Sequence, residues 1–471
     1  MYRTIQNIRF FFSAVALVAF ATSFADADDR PNILVIMADD MGHGDLSCYG
    51  SNQIETPNID ALADAGIRCT SGYVTSTVCA PSRAGLMTGR YQNRFGFEHN
   101  IVDSGGLYVR EQIGLPPEEI TIAERLKSLG YRTACIGKWH LGVHGFEDRF
   151  HPNNHGFDYY FGRFKGHGYF PKVEDRQIYR QKEPVQNIDV PYTTDWYTVE
   201  AINFIDSAAE GEPWFVYLAH DTPHTPLQAK ESDLERFAHI ENRNRRTILA
   251  MQHCLDENVG RLTAHLKNTG QFENTLIVFL SDNGGVVNGT SQSINAPYNG
   301  QKSTFWEGGM RVPMIYCWPE KLPSGIVFDS PVSSLDFTPT FIAAAGGAID
   351  DADQERLDGA NLVPYLSGEN AGSPHETLCW RIAQRGAAIR FGDWKLVRTP
   401  HRSPMLYDLA IDPGEQNNLA SANPELTNEL MNRLAQWEEG LADTPRWISS
   451  NHWASKNRAL YDKEYPVEQP D

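Results

Sequence analysis

"NILVIMADD", residues 32–40, is an unbroken apolar run that closes on two aspartates. A strand with one wet face alternates apolar and polar residues. This one does not, so it reads as a strand of a parallel sheet covered on both sides. Three later segments repeat the pattern: "YRTACIGKWH" (131–140), "WFVYLAHD" (214–221) and "TLIVFLSDNGG" (275–285). Helical patterns lie between them. "TPNIDALADAG" (56–66) starts with Thr and Pro and ends on Gly66, as a capped helix does. "TIAERLKSLG" (121–130) carries a capping box, Thr121 with Glu124. "VEAINFIDSAAEG" (199–211) and the long amphipathic "NRRTILAMQHCLDENVGRLTAHLKNTG" (244–270) complete the alternation. Helices alternating with buried strands predict an α/β fold with a mostly parallel sheet flanked by helices.

After about residue 370, in "LSGENAGSP", the pattern changes. "TLCWRI", "AAIRFG", "WKLVRT" and "PMLYDL" are short, closely spaced strand candidates, and "NPELTNELMNRLAQWEEGL" is a helix. They predict a smaller antiparallel sheet plus helix. The expected division is a catalytic domain over 28–372 and a C-terminal α+β subdomain over 373–471.

In open parallel sheets, ligands bind beyond the carboxyl ends of the strands. Those ends carry Asp39 and Asp40, then Lys138 and His140, then His220, then Asp282 and Asn283. The oxygen set Asp39, Asp40, Asp282 and Asn283 suits a hard divalent cation such as Ca²⁺ or Mg²⁺. Zinc fits less well, since neither short motif holds Cys or His. Asp-Asp and Asp-Asn-Gly are also ordinary turn residues, but here each pair closes a fully apolar strand. Lys138, His140, His220 and Lys302 (in "NGQKSTFWEGG") add basic groups. A cation beside several bases suits an anionic ester, whose developing charge both would stabilise.

The 471 residues carry 41 Lys+Arg against 60 Asp+Glu, a net charge of −19, which argues against nucleic acid or an anionic membrane as the main partner. "MYRTIQNIR" followed by "FFFSAVALVAFA" (10–21) and the small-residue site "ADA" (25–27) reads as a signal peptide over 1–27, so the protein is expected to be secreted or periplasmic. The apolar run is too short to span a bilayer, and no membrane association is expected once it is removed. Seven cysteines in so long a chain are not a disulfide scaffold, and no C-x-x-C occurs.

One of the seven stands in "CAPSRAGLMTGR" (79–90), at the start of a helix-like run. Taken alone, Cys79 is a disulfide half, a buried thiol or a thiolate activated by Arg83 and the helix N-terminus. A thiolate beside a hard-metal oxygen cage is a poor chemical match.

"CAPSRAGLMTG" resembles the signature of type I sulfatases, C-x-P-S-R followed by L-x-T-G. The likeness runs over about residues 31 to 420, through "PNILVIMADDMGHGDLSCYG", "TPNIDALADAG", "GKWHLG", "HGFDYYFG", "HDTPHTP", "SDNGG", "GQKSTFWEGGMRVP", "GDWKLV" and "LYDLAIDPGEQNNLA". It is similar to the arylsulfatase and N-acetylgalactosamine-6-sulfatase branch. The resemblance implies the alkaline-phosphatase-like α/β fold, with Cys79 converted after synthesis to Cα-formylglycine by a formylglycine-generating or anaerobic sulfatase-maturating enzyme. It implies one Ca²⁺ held by Asp39, Asp40, Asp282 and Asn283 and touched by the converted Cys79. Arg83 and Lys138 would hold the formylglycine, His140 would bond one hydroxyl of its hydrate and act as base, and His220 and Lys302 would grip the sulfate. The implied activity is a sulfuric ester hydrolase (EC 3.1.6.-) acting on a sulfated small molecule or glycan. A phosphomonoester or phosphonate-ester hydrolase, and a non-catalytic carbohydrate-binding protein, are the alternatives. Lys165 and His167 lie in the variable segment 162–170. The aromatic- and His-rich stretch 145–170 and "RTPHRSP" (398–404) are candidate sugar subsites.

Overall fold

The computed structural model describes residues 30–101, 107–108, 112–143, 148–166, 168–287, 289, 291–448 and 451–464. The expected signal peptide (1–27) therefore lies outside the described residues, as does His167. No helix among the described residues is long and apolar enough to cross a membrane.

Asn32–Ala38 is the centre of a ten-stranded sheet. It pairs in parallel with Thr275–Ser281 on one side and Trp214–Ala219 on the other. Arg132–Lys138 and Tyr159–Arg163 extend the parallel run. Beyond Thr275–Ser281 the antiparallel strand Met314–Cys317 carries the sheet outward.

Both faces are apolar, as the uninterrupted strand sequences require. Ile33, Val35 and Met37 pack on one face with Ala80, Ala84, Leu126 and Phe341, from three helices: Cys79–Thr88, Ile122–Ser128 and Phe337–Ala344. Leu34, Ile36 and Ala38 pack on the other with Leu62, Trp196 and Leu262, from Pro57–Asp64, Thr193–Asp206 and Arg243–Asn268. Each large aliphatic side chain buried this way contributes about 1.5–3 kcal/mol. The fold class expected from the sequence is the one observed.

The predicted helices match closely at their caps. Thr121 accepts from Glu124 N, and Glu124 accepts from Thr121 N at 2.7 Å, a complete capping box. One helix begins earlier than expected, at Thr193, because Thr193, Thr194, Trp196 and Tyr197 are buried and tertiary packing extends it.

The second sheet has four antiparallel strands, Thr377–Ile382, Gly386–Phe391, Trp394–Arg398 and Met405–Asp408, covered by the helix Pro424–Glu439. A further helix, Asn451–Glu464, was not evident in the sequence. A buried polar centre ties the two sheets together. Lys395 lies 2.8 Å from both Glu307 and Glu415, and Glu307 also meets Tyr73 and Arg311. Burial works against ionisation of Glu307, yet Lys395, Arg311 and Arg390 outweigh it and hold the carboxyl down at about 2. Burial instead raises Glu415 to about 7, against Lys395 and helped by the charge of Glu307.

A carboxyl raised on folding stabilises the fold fully below its unfolded value and loses that contribution as pH rises through the folded one. Glu415 therefore costs stability between about pH 4.5 and 7. We expect the melting temperature of Glu415→Gln, relative to the parent protein, to rise steadily from pH 5 to pH 8. Thermal denaturation across that range checks it, and a difference independent of pH would refute the assignment.

Candidate active site

The parallel register brings the strand ends to one rim. Met37 and Leu280 face the side of the sheet that packs the helix Cys79–Thr88. Asp39 and Asp282 continue that phase, so both carboxylates point toward this helix. Gly137 has φ 103°, and a Cβ there would lie 1.9 Å from Ala219 O. This glycine breaks the alternation just before Lys138, whose ammonium pairs with Asp39.

Cys79 opens the helix and is fully enclosed. Its Sγ lies 3.5 Å from Asp39 Oδ1 and 3.8 Å from Asp40 Oδ1, and accepts from Lys302 Nζ at 3.0 Å. Asn100 Oδ1 accepts from Ala80 N, the next amide of the helix, at 2.9 Å. One turn on, Arg83 donates from Nε to Asp282 at 2.9 Å, and from Nη1 to Lys138 O at 2.9 Å and to Tyr217 Oη at 3.4 Å. Lys302 Nζ donates to both oxygens of Asp40, at 2.6 and 2.8 Å. Asn283 Nδ2 donates to Asp40 Oδ1 at 2.7 Å.

Asp39, Asp40 and Asp282 are thus buried beside Arg83, Lys138 and Lys302. Burial alone would raise Asp39, but Lys138, His224, Arg83 and Lys302 hold it well below the ordinary carboxylate range. Asp40 is lowered in the same way, chiefly by Lys302 and His224 against burial. Burial, then the charge of Asp39, raises Asp282. Burial and Asp282 push the Cys79 thiol upward. That shift disfavours the thiolate form of the encoded side chain.

His140 sits at φ 58° and donates its backbone N–H to Phe164 O at 2.8 Å. Burial, followed by Lys138 and Arg83, holds its imidazole well below the usual value, which favours the neutral ring.

His220 is not brought to this cluster. Val216 and Leu218 face the opposite side of the sheet, and His220 continues their phase. Its ring centroid lies 6.1 Å from that of Tyr197, and burial lowers it to about 3, with Asp195 on the same helix opposing. The histidine expected on the sulfate, His220, thus lies apart from the cluster, and the one beside Asp40 is His224, four residues later in "HDTPHTP". His224 Nε2 is 3.5 Å from Asp40 Oδ2, while its Nδ1 is 2.5 Å from Thr225 O. The second histidine was visible in the motif, but strand-end position favoured the first.

Arg163 and Asp221 are two further buried residues that the sequence did not single out. They approach to 3.7 Å, and Tyr197 Oη donates to Asp221 at 3.0 Å. Tyr169 Oη lies 2.5 Å from Asp221 O and 2.8 Å from His224 O, so this group anchors the loop that carries His224. Lys165 lies half-buried on the loop after Arg163. All seven cysteines are free thiols.

The sulfatase family profile matches residues 31–348. The chain belongs to the sulfatase family. A second profile, the C-terminal region of N-sulphoglucosamine sulphohydrolase, matches residues 300–440. Human arylsulfatase A is 33% identical over 470 residues, covering 89% of each chain. Dog N-acetylgalactosamine-6-sulfatase is 34% identical, covering 88% of this chain and 87% of that one. The crystal structure of Ps i-CgsB is similar with a TM-score of 0.82 at 33% identity, over 93% of this chain and 98% of that one. The fold is accordingly the alkaline-phosphatase-like one, and the sulfatase is a sulfuric ester hydrolase.

The two histidines separate by experiment. His224→Ala is expected to lower kcat on an aryl sulfate about 100-fold or more. His220→Ala should keep kcat within about tenfold and lower the melting temperature, because it leaves a cavity beside Tyr197. The reverse pattern would restore His220 to the site.

Proposed function

We propose that this sulfatase hydrolyses a sulfate monoester of a sulfated glycan, with Cys79 acting as formylglycine and with one bound Ca²⁺. The observation that carries the reading is the setting of Cys79. It lies at a helix start, within 3.8 Å of two carboxylates and 3.0 Å of a lysine ammonium.

The residues fit a hard cation. Ligand atoms of Asp39, Asp40, Cys79 and His224 lie within 4.8 Å of one another. Asn283 Oδ1 is buried and accepts no hydrogen bond among the described residues, an acceptor that a cation satisfies. The Lys302 ammonium, seated between Asp40 and Cys79, marks a place that favours positive charge. Asp39, Asp40, Asp282 and Asn283 would hold the Ca²⁺, which when bound supplies charge stabilisation next to the ester oxygens. The hydrated aldehyde would supply a hydroxyl nucleophile and a second hydroxyl on the same carbon.

The chain's own groups do the rest. Arg83 and Lys138 fix the side chain at position 79. His140, half-buried and held toward its neutral form, would accept the proton of the second hydroxyl, which lets sulfate leave. Lys302 and His224 bind the sulfate oxygens and stabilise the departing alcohol as charge builds on it. A maturating enzyme that acts on the C-x-P-S-R segment before folding follows from the reading, because Cys79 is enclosed once the chain has folded. Export to a secreted or periplasmic location, and the division at residues 372 and 373, belong to the same proposal. The glycan class is supported by the neighbour solved as "Ps i-CgsB in complex with k-i-k-neocarrahexaose", similar at a TM-score of 0.81 and 33% identity.

Four measurements test this. Intact mass of active protein should show a formyl group in place of the Cys79 thiol, and Cys79→Ala should abolish sulfate release; full activity in that variant would overturn the proposal. Chelator treatment should lower the melting temperature, with recovery on adding Ca²⁺, and Asp282→Asn should remove that shift. Rates on nitrophenyl sulfate and nitrophenyl phosphate decide against or for the phosphorus alternative.

A further inference from the structure

The helix that carries Cys79 has no cap of its own. Its N-cap residue is Val78, at φ −142° and ψ 150°, whose side chain accepts no hydrogen bond. Helices more often start on Ser, Thr, Asp or Asn, whose oxygen takes an amide of the first turn. Pro81 brings no N–H, and Ser82 N donates to Val78 O at 3.2 Å. The amides of Cys79 and Ala80 are therefore left without an acceptor inside the helix. Asn100, 20 residues beyond Ala80, supplies one: its Oδ1 accepts from Ala80 N at 2.9 Å.

Asn100 is itself held from behind. Trp447 Nε1 donates to Asn100 O at 3.1 Å, and the Trp447 ring stands edge-on to Phe97 with centroids 4.6 Å apart. Arg381 pairs with Glu98, and Ala383 N donates to the same carboxylate at 2.7 Å. The C-terminal region thus fixes the segment 97–100, and Asn100 passes that constraint to the residue next to Cys79. The stretch before the helix is pinned through its backbone. Val74 N donates to Met310 O at 3.0 Å, Gln92 Nε2 to Thr75 O at 3.1 Å, and Ser303 N to Thr77 O at 2.8 Å. Among the described residues, Asn100 is the one side chain that accepts from an amide of the first turn.

The cap is an amide, not a carboxylate. Asp39 and Asp40 already stand 3.5 and 3.8 Å from Cys79 Sγ. An acidic cap would suit the helix dipole better. It would also place one more negative charge beside the position that an anionic ester must reach. Asn100 Nδ2 donates to no group among the described residues, so the cap uses the carbonyl half alone.

We infer that Asn100 is a positioning residue for the group at position 79. Through Ala80 N it fixes the first turn of the helix, hence the line along which that group meets the ester, and it does so without charge. The inference rests on the reading of position 79 as the nucleophile.

The test compares matured Asn100→Ala, Asn100→Asp and Trp447→Phe, with formylglycine content read from intact mass and rates stated per converted site. On nitrophenyl sulfate, Asn100→Ala is expected to lose about tenfold in kcat with KM within about twofold, because a misdirected nucleophile slows the chemical step and leaves binding alone. Asn100→Asp keeps the acceptor and should recover most of that kcat. It should raise KM about fivefold at low ionic strength, and the rise should shrink as salt is added. Trp447→Phe keeps a ring against Phe97 and removes the donor to Asn100 O, so about a threefold loss in kcat at unchanged KM is expected. A kcat within about twofold of the parent in Asn100→Ala, whatever its melting temperature, would overturn the positioning role. An unchanged KM in Asn100→Asp would overturn the need for a neutral cap. If Asn100→Ala fails to fold, Trp447→Phe decides, and a parental kcat there overturns the role. Cys79→Ala separates this inference from the reading beneath it. Full activity in Cys79→Ala removes the nucleophile, whereas an inactive Cys79→Ala beside a fully active Asn100→Ala removes only the role of Asn100.

Discussion

The structure depends on three carboxylates buried against three cationic side chains where the strands end. Burying an ion pair gains little over burying an apolar pair of the same volume, because desolvation offsets the attraction. Removing one partner is different: it strands a charge and costs about 3–5 kcal/mol. Asp39, Asp282 and Arg83 are fully enclosed, and each neutralises a neighbour. The cluster is therefore poor as a device for stability alone. Its value lies in holding buried oxygens and ammonium groups at fixed places. Such preorganisation is what a site for an anionic transition state requires.

That cluster can form only because a parallel sheet gathers distant segments. Asp39, Lys138 and Asp282 are far apart in the chain, yet Asn32–Ala38 pairs with Thr275–Ser281, and the strand Trp214–Ala219 bridges to Arg132–Lys138. The helix Cys79–Thr88 then lies on the face to which Asp39 and Asp282 point, so Cys79 and Arg83, one turn apart, both reach Asp39. The apolar packing on both faces sets this register, and the chemistry follows from it.

The sequence shows the layers and the strand-end acids, because unbroken apolar runs carry their own reading. It shows less wherever side-chain direction depends on phase. His220 and His224 are both in the motif, and only the alternation through Val216 and Leu218 sends the first away from Cys79. Lys138 escapes that alternation through a single left-handed glycine, Gly137. Long-range polar partners are harder still. Nothing near Glu415 in the chain announces Lys395 or Glu307, and Arg163 meets Asp221 only across strands. The helix Asn451–Glu464 is held by the docking of Tyr461 on Trp306, a tertiary contact with no local signal.

Glu307 explains why a second sheet is attached at this point. Five residues before it in the chain stands Lys302, whose ammonium reaches Asp40 and Cys79. The intervening loop is short and turns sharply: Ser303 has φ 75° and donates its N–H to Thr77 O at 2.8 Å. A loop of that kind does not hold a lysine in place by itself. Glu307 is fixed by Lys395 of the small sheet, by Arg311, and by its own N–H to Glu415 at 2.6 Å. Phe305 is fixed in turn by Tyr461. The small sheet and the last helix thus clamp both sides of Trp306, and the clamp sets where Lys302 can reach. The C-terminal region is, on this geometry, what positions Lys302 rather than an appendage.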